Sequence, residues 1–405
     1  MKITDMKVAI IGQNPVVRII TDEGIDGIGG AETAKHYLKW HIEFYKGAII
    51  GMDPTNVERV MLNIRRMGAF KPWGSAVSAI EVALWDIAGK AAELPIHKLL
   101  GGKIRDRVQI YNGNKRKDMT SYSPESFAEN MQWMKDQPEN FSIIKQGITF
   151  HSRMPRDIPN YYYGEYQERE NTGQYEFEGR YPNRGKLTER GLNNTIESVI
   201  AMKEVLGDEV GLALDCGPGL TVPDTLKLAQ ALEPFNLMWM EDTMTGDYTP
   251  YVTPELFLQV TPNTSTPIHT GEQIYLRNNF KELVEQHAVD VLGPDPFDVG
   301  GIAELKWIAE YADLHGILMA PHGTGDGLIG LAALVQVAAT MPDNYIAFEM
   351  PTGNPSWWYD IIVGLPDPIV TDSHIEVWDT PGLGIHFDVD ATKQYLRPED
   401  ADFFD

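Results

Sequence analysis

Hydrophobic and polar positions alternate with a period of two across the N-terminal segment, which predicts three short strands: KITDMKVAI, PVVRIITDEG and IDGIGGAE. The connections carry turn residues, Gln13-Asn14-Pro15 and Asp22-Glu23-Gly24. Across residues 33–64 the spacing shifts to helical periodicity. Pro54 in GMDPTNVERVM stands where a helix accepts proline, at its first position. Residues 75–94, SAVSAIEVALWDIAGKAAEL, are strongly apolar and alanine-rich, and predict a helix ended by Pro95. Strands first and helices after them describe a small α+β unit.

From Val108 onward, short apolar runs alternate with helical stretches, beginning with VQIYNG and FSIIKQG. That alternation predicts a parallel α/β barrel. It breaks over residues 150–188, which hold six tyrosines and no sustained apolar period. An insertion of this length after a second barrel strand lies over the barrel mouth, as a lid or as part of an oligomer interface. The strand–helix beat resumes at residues 192–208 and continues to about residue 345. The expected organisation is an α+β domain over residues 1–107, a barrel over 108–360 and a segment over 361–405 that packs back on the first domain.

Six acidic or imidazole side chains close successive apolar runs in the second half: Asp215 in VGLALDCG, Glu241 in LMWMED, Glu272 in PIHTGEQ, Asp295 in VDVLGPD, His322 in GILMAPH and Glu349 in YIAFEM. The gaps are 26, 31, 23, 27 and 27 residues, each about one strand–helix unit. Strand C-termini of a parallel barrel open on one mouth, so the spacing predicts one site. Three adjacent carboxylates cannot all stay ionised without a compensating cation. Oxygen ligands suit a hard divalent ion, with Mg²⁺ the natural choice for Asp215, Glu241 and Glu272. No CxxC or HExxH spacing points to zinc.

His322 opens the small-residue loop APHGTGDG, and Asp295 ends the preceding strand. A carboxylate on one ring nitrogen fixes the tautomer and raises the basicity of the other, which makes a proton acceptor. Asp298 competes for that partnership from deeper in the turn before Gly300-Gly301. Lys145 closes the second strand and is expected to face His322 as a second acid or base, its pKa lowered beside a divalent ion. Glu349 closes the eighth strand and is expected to bond an enolate oxygen or the substrate carboxylate, part of an oxyanion site. Asn112, His151, Arg153, Arg65, Arg66, Lys71 and Trp73 are further candidates for substrate contact.

The formal net charge of −24 and the absence of a basic stripe argue against nucleic acid as a partner. The single cysteine, Cys216, excludes an intrachain disulfide and is expected to be a buried, inert thiol. The N-terminus lacks the features of a signal peptide, and no apolar run reaches the ~18 residues of a membrane span. A cytoplasmic protein with no membrane partner is expected.

AIEVALWDIAGKAAELPIHKLLGG, WMED, TGEQ, PDPFDVGGI, APHGTGD and PGLGIHFD together resemble the enolase superfamily, in its mandelate racemase-like branch of acid-sugar dehydratases. The resemblance implies a modified (β/α)₇β TIM-type barrel with an N-terminal α+β capping domain, assembled as a homo-oligomer whose subunit number the sequence does not set. It implies Mg²⁺ on Asp215, Glu241 and Glu272, a His322–Asp295 dyad, and an enediolate formed from a carboxylate sugar. Two positions depart from the branch. Its racemases carry Lys-x-Lys where this chain has Lys145-Gln146-Gly147. Its mannonate dehydratases, which share the insertion and the PGLGI tail, carry a His where this chain has Gly217, and they have Arg in place of Lys145 and no dyad Asp.

The expected reaction is Mg²⁺-dependent dehydration of an aldonate or aldarate to a 2-keto-3-deoxy sugar acid, with Lys145 or His322 taking the α-proton. The alternative is a 1,1-proton transfer: racemisation, epimerisation or cycloisomerisation. A sugar-acid binding protein without turnover is the non-enzymatic alternative.

Overall fold

A computed structural model of the chain describes residues 1–67, 74–164, 186–244, 253–323, 327–351 and 356–405. Strands β1 (Ile3–Ile11), β2 (Asn14–Thr21) and β3 (Asp26–Gly30) form an antiparallel meander in which Val8 pairs with Val17 and Val17 with Gly29. The β1–β2 turn is Gly12-Gln13, with Gly12 at φ +60°, while Asn14 and Pro15 already belong to β2. The helical reading over 33–64 resolves mainly into helices Leu38–Phe44 and Val57–Met67. Pro54 is not at a helix start. It lies in a turn closed by Asp53, whose Oδ1 accepts from the Thr55 N–H at 3.0 Å.

The alanine-rich segment forms helix Gly74–Ala92, laid across the sheet. A Cβ on Gly29 would stand 1.9 Å from the Ala79 carbonyl oxygen, and one on Gly27 2.1 Å from that of Ala83. Only glycine allows strand and helix backbones to approach so closely.

The same helix ties this domain to the barrel through Glu81. Its carboxyl accepts from the N–H groups of Ile302 (2.8 Å) and Ala303 (3.0 Å) at the start of helix Ile302–Leu314, and from the Trp85 indole at 2.7 Å. Burial pushes its pKa up to about 8, against the pull of those donors. An unfolded glutamic acid titrates near ~4.3, so the folded chain keeps a proton that the unfolded chain releases. Stability therefore declines as pH rises from the unfolded value through about 8. Glu81→Gln is expected to cost about 1–3 kcal/mol at low pH for the mismatched acceptor. Its melting temperature should then lack the alkaline-going decline of the wild type. Parallel profiles between about pH 5 and 8 would show that Glu81 does not titrate there.

The barrel strands are β4 (Arg107–Tyr111), β5 (Ile143–Gly147), β6 (Gly211–Asp215), β7 (Trp239–Glu241), β8 (Ile268–Thr270), β9 (Val291–Leu292), β10 (Leu318–Met319) and β11 (Phe348–Glu349). Strands β5 to β10 pair in parallel in chain order, and β11 pairs in parallel with β4. Bridges Asn112–Ile144 and Met319–Tyr345 close the ring. This is a TIM-type barrel of the modified (β/α)₇β kind. Its interior is filled by Tyr111, Ile143, Ala213, Trp239, Val291, Ala320 and Ala347. Among the described residues no helix is long and apolar enough to cross a membrane.

Tail residues reach the first domain: Asp400 accepts from the Ile10 N–H at 2.8 Å and pairs with Lys39, and the Phe403 carbonyl accepts from Arg18 at 3.1 Å. Tyr161 and Tyr162, at the start of the insertion, are buried in the main core, and the Tyr161 hydroxyl lies 2.6 Å from Thr195 Oγ1. This part of the insertion is therefore packed structure. Residues 165–185 lie outside the described residues.

Candidate active site

Strand register sets the mouth. Gly147 pairs with Asp215, and Asp215 with Glu241, so β5, β6 and β7 end on one level. Glu349 pairs with Tyr111 on the far side of β5. Lys145 points inward and is 4% exposed, which excludes a surface lysine. Its Nζ lies 2.7 Å from Glu241 Oε1, 3.0 Å from Glu349 Oε2 and 3.7 Å from Asp215 Oδ2. Burial alone would lower its pKa; the charges of Glu241 and Glu349 override that and raise it well above the ordinary lysine value. Among these uncompensated carboxylates Lys145 is held as an ammonium ion.

Glu349 is equally committed. Burial favours its neutral form, but Lys145 and His322 outweigh that and hold it below its usual pKa. An ionised carboxylate accepts hydrogen bonds and donates none. Glu349 is therefore placed to hold Lys145 and His322.

The His322–Asp295 pair is formed: Nδ1 lies 2.7 Å from Asp295 Oδ2, and Asp295 Oδ1 accepts from the Phe297 N–H at 2.7 Å. With Nδ1 so engaged, Nε2 faces the mouth, 3.4 Å from Glu272 and 3.6 Å from Glu349. Burial pushes the imidazole pKa down, yet the Asp295 hydrogen bond and the Glu349 charge lift it to about 10. Asp298 is not the partner of the ring. It is buried, with its pKa raised well above the carboxylate range by burial and by the charges of Glu32 and Asp295.

Carboxylate oxygens of Glu241, Asp242 and Glu272 lie within 4.8 Å of one another, and all three residues are buried. Asp215 stands beside Glu241 at the adjacent strand end, where it meets Lys145 and His151. Counting Asp295 and Glu349, six carboxyl groups among the described residues face one lysine and three imidazoles, His151, His269 and His322. A buried excess of negative charge with oxygen donors on neighbouring strand ends fits a divalent cation.

Sequence reasoning missed Asp242. It follows Glu241 directly, and its φ of +48° turns it inward, where Oδ1 accepts from Thr270 at 2.5 Å. It also missed Glu32 and Lys35, an ion pair on the loop after β3. That loop brings the first domain beside the barrel, since Glu32, Lys35 and Asp298 line one small recess.

Several other candidates are placed elsewhere. The Asn112 carboxamide is bonded to both backbone groups of Lys115, at 2.8 Å each. Arg65 reaches Glu304 at 3.1 Å, and Arg66 is exposed. Arg153 pairs with Asp157 at 3.5 Å. Lys71 and Trp73 lie outside the described residues. Cys216 is buried with its pKa raised by burial, as an inert thiol should be.

His151 arrives at the mouth from the turn Thr149–His151, its Nδ1 2.5 Å from Asp215 Oδ2. It borders a recess of about 520 Å³ shared with Arg116, Gln146, Gly147, Phe150 and Arg153.

Residues 5–101 match the mandelate racemase / muconate lactonizing enzyme N-terminal domain, and residues 178–391 match the enolase C-terminal domain-like family. The chain belongs to the enolase superfamily. Within it, the chain is 30% identical to a D-xylonate dehydratase of Haloferax volcanii, over 98% of this chain and 89% of the relative. It is also 30% identical to the D-galactonate dehydratase family member RspA of Cellvibrio japonicus, over 80% of this chain and 79% of the relative. A mandelate racemase/muconate lactonizing enzyme-like protein from Rubrobacter xylanophilus superposes with a TM-score of 0.81 at 27% identity, covering 98% of both chains. In this superfamily member the barrel mouth described above is the place to look for chemistry.

Proposed function

We propose that this enolase superfamily member removes water from a sugar acid, an aldonate or aldarate, to give a 2-keto-3-deoxy acid with the help of Mg²⁺. The observation that carries the reading is the His322–Asp295 dyad, whose free-facing Nε2 meets Glu272 at 3.4 Å beside a buried carboxylate group. Relatives bearing the names D-xylonate dehydratase and D-galactonate dehydratase family member support the substrate class.

Glu241 and Glu272 would hold the ion, with Asp215 as the third ligand that the family resemblance implies and Asp242 within reach of both. When bound, the ion supplies positive charge to the substrate carboxylate and so lowers the cost of removing the adjacent C–H proton. His322, neutral once cation charge held beside it at Glu272 offsets the pull of Asp295 and Glu349, accepts the α-proton at Nε2. Asp295 fixes the ring orientation and stabilises the imidazolium that forms. Lys145, held by Glu241 and Glu349, presents its ammonium to the developing negative charge on the substrate. Buried walls on Trp239 and Tyr111 keep bulk water from below the reacting carbon.

The test is a panel of aldonates and aldarates incubated with Mg²⁺-loaded protein, read as 2-keto-3-deoxy acid formation. Turnover of at least one sugar acid is expected. Solvent deuterium entering recovered substrate with the hydroxyl retained across the panel would replace this reading with a 1,1-proton transfer.

A further inference from the structure

A short turn after β5 is built with unusual care. Thr149, β-branched and buried, sits at φ +47°, where such residues are strained. The turn is clamped to the carbonyl of Cys216 twice, by Thr149 Oγ1 at 2.6 Å and by the His151 N–H at 3.2 Å. Three glycines clear its path. A Cβ on Gly147 would lie 2.4 Å from the His151 carbonyl oxygen, and one on Gly219 would lie 2.6 Å from the Phe150 ring. At Gly217, φ +59°, it would lie 3.1 Å from the His151 Cβ. Gly147 and Gly217 both lie at the mouth, and the same turn passes over both.

The turn delivers one side chain to the site. His151 Nδ1 contacts Asp215 at the end of β6, while about half of the side chain remains exposed toward the recess. His322 follows β10, four strands from β6 around the eight-strand ring. The two imidazoles therefore approach the mouth from opposite walls.

We propose that His151 is a second catalytic imidazole, which contacts the departing hydroxyl of the substrate on the face opposite His322. The inference rests on the dehydratase reading above and adds the group that reading leaves unassigned. The balance is as follows. His322 takes the α-proton, and the C–H electron pair passes into the acid's enolate. That pair then forms the C2=C3 bond as the C3–O bond breaks. The oxygen leaves as water with a proton from the His151 ring. The enol takes a solvent proton at C3 and releases its C2 hydroxyl proton to solvent, which gives the 2-keto-3-deoxy acid, and solvent returns each imidazole to its starting state. Loss of proton and hydroxyl from opposite faces is an anti elimination.

The experiment uses Mg²⁺-loaded full-length protein with His151→Asn and His151→Ala. The substrate is whichever acid of the aldonate and aldarate panel the wild type dehydrates, together with its 3-deoxy-3-fluoro analogue, whose fluoride departs without needing a proton. Keto acid formation from the hydroxy acid should fall about 10²–10⁴-fold. Exchange of the α-proton with D₂O should stay within about threefold of wild type, and the variants should recover most of their rate on the fluoro analogue. Equal losses of exchange and of both eliminations would overturn the assignment and leave His151 a structural contact of Asp215. A wild type that exchanges the α-proton but dehydrates no acid of the aldonate and aldarate panel would sink the dehydratase reading itself, and the assignment with it.

Discussion

His322→Asn is expected to lower turnover by about 10²–10⁴-fold and to abolish α-proton exchange to the same extent. Asparagine can keep a hydrogen bond to Asp295, which in the wild type lies 2.7 Å from Nδ1. It cannot accept a proton at the position of Nε2. The ion should still bind, because Glu241, Asp242 and Glu272 remain in place. This pattern separates a base from a leaving-group donor: loss of exchange together with elimination marks the residue that opens the reaction. Exchange persisting in His322→Asn would transfer the role of base to Lys145, whose Nζ reaches the same Glu349 oxygen as His322.

Glu272→Gln is expected to have the other large effect. Removing one charged ligand from a divalent site should weaken ion binding by more than about 100-fold and depress turnover at fixed Mg²⁺ by at least as much. The carboxylate also lies 3.4 Å from His322 Nε2, so the variant alters the base as well as the ion. Raising Mg²⁺ separates the two effects. Rate recovery at high Mg²⁺ assigns the loss to the ion, whereas a rate that stays low with the ion bound assigns it to the altered surroundings of His322. A Glu272→Gln protein with unchanged ion affinity and rate would remove Glu272 from the site.

Much of this site is legible in the sequence because barrel geometry is repetitive. One polar residue at the end of each apolar run is enough to put Asp215, Glu241, Asp295 and Glu349 at one mouth once the strands are in parallel register. What the sequence hides depends on turns and on charge. Asp242 lies just past its strand, and only a left-handed backbone turn brings it in. A strained threonine at position 149 cannot be read from a run such as GITFHS, although the glycines at 147, 217 and 219 were a signal that something passes close by. The ionisation of Lys145 depends on three carboxylates from three other strands. Lys35 and Glu32 come from a domain whose docking angle no local pattern encodes.

The most direct test of the central claim is a calorimetric titration of Mg²⁺ into protein stripped with chelator, with keto acid formation followed on the same samples. The account predicts one saturable ion per chain, turnover that returns in proportion to occupancy, and loss of that binding event in Glu272→Gln. Turnover that survives chelation unchanged, or the absence of any saturable binding in the wild type, would contradict it.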